Sequence, residues 1–220
     1  MLLKSPLFFI VLILISSNIY GQFYEAIKED AANYFLALAN NSSDSQIEFE
    51  KLKSSLYSRI DLTEAENTYQ TKKQSLDSLK NHFNEYESII KNISKDSALV
   101  LFNQWYLHFS KTFYNYAQEK FFSSEKVKLL LFSASVSCAC TLEMCRKQTI
   151  DLINFAKQNG YDYWIVDSFE NNQLQIEYET LFAPSVIVLD ENNKCLLKIQ
   201  YDENMISKLS VFLDGKSAAN

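Results

Sequence analysis

Between Gln22 and Gly160 the chain contains neither glycine nor proline, and all 220 residues together hold only 3 Gly and 2 Pro. More than half the chain thus lacks the two residues that most readily break helices, which favours long, uninterrupted ones. The apolar residues of the first part fall at helical spacing: Ile27, Ala31, Tyr34 and Leu38; Phe49, Leu52, Leu56 and Ile60; Leu76, Leu79, Phe83 and Tyr86; Phe102, Trp105, Phe109 and Phe113. Four amphipathic helices are expected, their stripes forming core. The polar run Asn40 to Ser45 supplies a turn that caps the second helix, and Asp96-Ser97 supplies a cap for the fourth. The two histidines, His82 and His108, both lie in this part and read as structural or surface residues, not metal ligands.

The same scarcity narrows function. Phosphate-cradling loops need clustered glycines, whereas Gly21, Gly160 and Gly215 stand alone, so nucleotide-binding chemistry is disfavoured. A formal charge of −6 recommends neither nucleic acid nor an anionic lipid surface as a partner. Hydrophobic residues at 47% and aromatics at 14% are incompatible with disorder. Four cysteines are too few for a disulfide scaffold, so they are read as chemistry first.

Lys4 followed by the apolar run Leu7 to Ile15 and the polar Ser16-Ser17-Asn18 has the layout of a signal peptide, with cleavage expected after Gly21. Nine apolar residues span only about 13 Å of helix against a hydrocarbon core of about 30 Å, which disfavours a permanent span and favours cleavage over the alternative, an uncleaved anchor; no stable membrane span is expected after cleavage. Export implies a periplasmic or secreted protein in a compartment where paired cysteines persist. The expected organisation is a signal peptide over 1–21, a helical domain over 22–122 and an α/β domain over 123–220.

After Lys126 the pattern changes. Val127 to Ala134 reads as a buried strand, Thr141 to Asn159 as a helix stopped by Gly160, and Tyr163 to Val166 as a second strand. Ser168 to Leu181 reads as a short helix and loop. Ser185 to Leu189 and Cys195 to Ile199 form hairpin strands around Asp190 to Lys194, and Met205 to Leu213 forms a last helix. That order builds a central mixed sheet flanked by helices.

Cys138, Cys140 and Cys145 fall where the first strand gives way to a helix. Unsatisfied N–H groups at a helix start favour thiolate over thiol, and the thiolate is the form that attacks a disulfide. Cys145 lies five residues past Cys140, and five helical steps turn it to another side, so it is either a resolving cysteine or buried and inert. Cys195, alone in a late strand, reads as a buried small hydrophobe.

Strand, cysteine motif, helix, strand, then Phe182-Ala183-Pro184-Ser185-Val186-Ile187-Val188-Leu189-Asp190 with an Asn-Asn turn and a final strand and helix resembles the thioredoxin-like superfamily, closest to exported bacterial thiol-disulfide oxidoreductases. The resemblance covers roughly Val127 to Leu213 and leaves the helical part unexplained. It implies a cis bond at Ala183-Pro184, with these residues forming the edge where substrate peptide docks. It also implies catalysis by cysteine thiols without a cofactor, cysteine-containing protein substrates and a redox partner protein. The motif departs from the family's Cys-x-x-Cys: counted from Phe132, Ser137 falls at the attacking position and Cys140 at the resolving one. With a loop one residue longer, Cys138 becomes the nucleophile and Cys140 its partner, the assignment preferred here. A Cys-x-Cys disulfide closes a very small ring, whose strain favours donating or shuffling disulfides. Two other readings compete: a Cu(I) site built from Cys138, Cys140 and Cys145 near Met144, and a non-catalytic binding module of the same fold.

Overall fold

The computed structural model describes residues 22–58, 60 and 62–217; the segment read as a signal peptide lies outside the described residues. The first part is helical: α1 (Gln22–Ala39), α2 (Ser45–Ser58), α3 (Leu62–Asn67), α4 (Lys73–Ile89), a 3-10 turn (Ile90–Asn92), α5 (Lys95–Thr112) and α6 (Tyr114–Ser123). All four expected stripes are present, with four differences. The short α3 has too few turns to carry a visible periodicity, and α2 stops at Ser58, leaving Ile60 outside the helix but packed against the core. The fourth helix breaks before Phe113, whose backbone (φ −110°, ψ 25°) leaves the helical region while its ring stays fully buried. Its cap is Ser94, accepting from the Ser97 N–H at 3.2 Å, instead of Asp96-Ser97.

The second part runs β1 (Lys128–Ser133), α7 (Ala139–Asn159), β2 (Asp162–Asp167), α8 (Asn172–Glu177), β3 (Ser185–Leu189), β4 (Cys195–Gln200) and α9 (Met205–Ser217). The four strands form one mixed sheet in the order β2-β1-β3-β4, with β1 parallel to β2 and antiparallel to β3, and β3 antiparallel to β4. A parallel neighbour requires a crossover, which α7 provides. Every residue of β1 and β3 is buried, consistent with central strands covered on both faces. Helix α7 ends at Gly160 in the left-handed conformation (φ 71°, ψ 23°), its N–H bonded to Ala156 O, as the Asn-Gly pair predicts.

The two parts share one core. Buried aromatic side chains of α1, α4 and α5 continue without a break into the apolar residues of β1, β2 and α7. Trp105 packs on Phe83 and Phe102 with ring centroids 5.2 and 5.3 Å apart, and α5 in turn lies against β2 and α7. The contact is also polar: the Ser110 hydroxyl donates to Ile165 O at 2.6 Å and accepts from the Trp164 indole N–H at 3.2 Å. Among the described residues no helix is long and apolar enough to cross a membrane.

Cys195 corrects the sequence reading. It is exposed, because β4 is the edge strand and a register irregularity opposite Val188 and Leu189 sets the start of β4 apart from its neighbour.

Candidate functional site

β1 delivers the chain into an irregular turn, Ala134 to Ser137, and α7 begins at Ala139, two residues earlier than its apolar spacing predicts. The shift matters: Cys138 becomes the N-cap residue (φ −66°, ψ 156°), its carbonyl accepting from Leu142 N at 3.0 Å, and Cys140 lies in the first turn. Both are exposed, with their sulfurs 2.8 Å apart as free thiols. The Cys138 sulfur also lies 3.2 Å from the Thr141 hydroxyl. These neighbours bring the Cys138 thiol down to about 6: the Cys140 thiol contributes most, then the Thr141 hydroxyl and main-chain N–H, with a smaller pull from Ser137. Of these donors only the Thr141 main-chain N–H is the helix-start group the sequence leads one to expect; the larger pull comes from the neighbouring thiol and hydroxyl.

Cys145 faces the other way. It is fully buried against Ser133 and Ala134, and burial pushes its thiol up to about 11. Of the three clustered cysteines, the structure brings Cys138 and Cys140 together and leaves Cys145 in the core, the inert alternative of the two expected for it.

The Ala183-Pro184 bond is cis, as the resemblance implies, with Pro184 buried at the head of β3 and Ala183 half-buried. The segment is pinned by β4: Tyr201 N–H donates to Pro184 O at 2.8 Å, and Leu181 N–H donates to the Gln200 side chain at 2.9 Å. Between this edge and the cysteine turn runs a groove of about 820 Å³ whose walls include Val136, Ser137, Thr141, Phe169, Leu181, Phe182 and Ala183. Its rim is apolar and open to solvent: Val136, Phe169, Leu181 and Phe182 are 62%, 71%, 80% and 59% exposed. These four large side chains are exposed apolar residues that border the groove. Of the groove's lining, the sequence singled out Ala183, through the resemblance, and Ser137, as the residue at the family's attacking position. Val136 and Phe169 stand as single apolar residues in polar stretches, a pattern with no periodicity, and Thr141 was read only as the start of a helix.

Behind the turn, Asp167 at the end of β2 accepts hydrogen bonds from Ser135 N–H (3.3 Å), the Ser135 hydroxyl and Phe169 N–H (3.0 Å), joining the two loops that wall the groove. A separate cavity of about 350 Å³ is lined by His82, Gln104, Trp105, His108, Ser135 and Asp167, among others. The two histidines, 26 residues apart in sequence, meet there with ring centroids 4.4 Å apart. Burial, then His82 and Lys111, holds His108 below its ordinary value, with Glu170 opposing. Among the described residues no group of three or more His, Cys, Asp or Glu is arranged to hold a metal ion.

The sequence matches no protein-family model, and neither a curated protein nor a solved structure matches it.

Proposed function

We propose that this protein is an exported thioredoxin-like thiol-disulfide oxidoreductase or isomerase that exchanges disulfides with other proteins through Cys138 and Cys140. The observation that carries the reading is the exposed pair of sulfurs 2.8 Å apart at the N-terminus of α7, with Cys138 held largely as thiolate at neutral pH. The sheet order and the α7 crossover support a thioredoxin-like second part. The apolar groove between the cysteines and the Ala183-Pro184 edge supports a polypeptide substrate.

In the reducing direction the Cys138 thiolate attacks one sulfur of a substrate disulfide, forming a mixed disulfide and releasing the other substrate sulfur as thiolate. Cys140 loses its proton and attacks the Cys138 sulfur; a Cys138–Cys140 bond forms and the second substrate thiolate leaves. Two electrons pass to the substrate, and every step is reversible. A stabilised Cys138 thiolate is a good leaving group, and the small Cys-x-Cys ring adds strain to the oxidised form, so donation or shuffling of disulfides is the favoured direction. Cys145 takes no part, because a buried thiol held near 11 is neither ionised nor accessible.

The test is reshuffling of a scrambled multi-disulfide protein. Cys138→Ser should abolish it and Cys145→Ala should leave it unchanged; full activity in Cys138→Ser would end the proposal. The withdrawal of Cys145 reduces the three-thiolate Cu(I) alternative to the two sulfurs of Cys138 and Cys140.

A further inference from the structure

We infer that Gln104 on α5 is a positioning residue for Cys138, so that the helical layer sets the geometry of the cysteine turn; the inference rests on the proposed role of Cys138. Residues Ala134 to Ser137 have no regular hydrogen-bonding pattern of their own, yet they carry Val136 on the groove rim and lead directly into Cys138. Ser135 is the anchored residue of this turn. Its N–H and hydroxyl are tied to the Asp167 carboxylate, and its carbonyl accepts from the Gln104 amide N–H at 3.0 Å. Two of these ties reach the end of β2 and the third reaches across 31 residues of sequence to α5.

A brace transmits position only if it is itself fixed. Phe102, Trp105 and Phe109 hold α5 in the buried aromatic core, and Ser110 is hydrogen-bonded to both Ile165 and Trp164 of β2. Gln104 itself is half-buried on the wall of the cavity behind the turn. Without its donor, the Ser135 carbonyl loses its protein partner and Ser135 is held from the β2 side alone. Segments with fewer such ties open more readily. Cys138, three residues on, then samples positions away from the Thr141 hydroxyl and the Cys140 sulfur, which are the contacts that favour its thiolate.

The experiment uses the reduced full-length chain carrying Gln104→Met, which keeps the side-chain length and helix propensity and removes the donor. Site-resolved mass spectrometry of alkylated Cys138 across pH should show the half-maximal point moving up by about half a unit or more, read as roughly threefold slower alkylation at acidic pH. Amide exchange of residues 135–138 should accelerate in the same variant. Gln104→Ala, at a half-buried position beside an existing cavity, should give the same two results and replaces the Met variant if that one does not fold. An unshifted alkylation profile in a folded variant overturns the inference, whether or not exchange accelerates. Both readouts are independent of turnover, so a failure of the disulfide-exchange proposal remains distinguishable from a failure of this one.

Discussion

Replacing Cys140 by alanine removes the largest single influence on the Cys138 thiol and leaves the Thr141 hydroxyl, the Thr141 N–H and Ser137 in place. In the intact pair Cys138 is half-ionised near pH 6. An unassisted cysteine would be half-ionised at about 8.5. The variant must fall between these limits, and since its strongest neighbour is gone we expect a midpoint above about 7. At pH 6 the thiolate fraction would drop from about one half to at most about one-tenth, so alkylation of Cys138 should slow by at least roughly fivefold, with full loss of assistance setting a ceiling of roughly 150-fold. Cys140→Ser, whose hydroxyl can still approach the sulfur, should lie between. The assay is the pH dependence of iodoacetamide modification, read on the peptide containing residue 138, with thiolate absorbance near 240 nm as a check. Cys145, held near 11, should not be modified over this range. A wild-type midpoint near that of free cysteine, or a Cys140→Ala profile that superimposes on the wild type, would refute the reasoning.

The shared core predicts that both parts unfold together. Trp105 lies in α5 and Trp164 in β2, so within each single-tryptophan variant the fluorescence transition should coincide with the far-UV circular dichroism transition; two separated transitions would show independent units. Phe83→Ala, which empties a fully buried site packed on Phe49 and Trp105, should cost about 3–5 kcal/mol in urea unfolding. His108 is held below its ordinary value of 6.5, so the unfolded chain binds protons there that the folded chain resists. That part of the stability is complete above 6.5 and is lost as pH falls from 6.5 through the lowered native value, and His108→Gln should flatten this part of the stability curve. On the groove, Leu181→Ser, which alters an 80% exposed side chain, should slow exchange with an unfolded protein disulfide several-fold while leaving exchange with a small soluble disulfide unchanged.

The strands, the crossover helix and the helical stripes were legible because burial marks the sequence: the helices, α7 among them, repeat apolar residues at helical spacing, and β1, β2 and β3 read as short, nearly continuous apolar runs. Features set by single contacts across the fold were not. α3 is too short to show a stripe, and the break at Phe113 is masked because its ring stays on the apolar face after the backbone has left the helix. The cysteine cluster announced a site, and the resemblance supplied Ala183 and Pro184. The start of α7 two residues before Thr141, where the sequence reading begins it, made Cys138 the N-cap, and apolar spacing carries no information about an N-cap. Cys195 was misjudged because residue type says little about whether a strand lies at the edge of a sheet. The meeting of His82 with His108 and the bond from Gln104 to Ser135 depend on how α4, α5 and the β1–α7 turn come together, which sequence separation conceals.

The most direct measurement is a redox titration of the full-length protein with mass mapping of its four cysteines at each potential. A single reversible two-electron couple is expected, in which Cys138 and Cys140 become linked while Cys145 and Cys195 remain free thiols. A pair that stays reduced at oxidising potentials, or a disulfide that forms through Cys145, would contradict thiol-disulfide exchange at the N-terminus of α7.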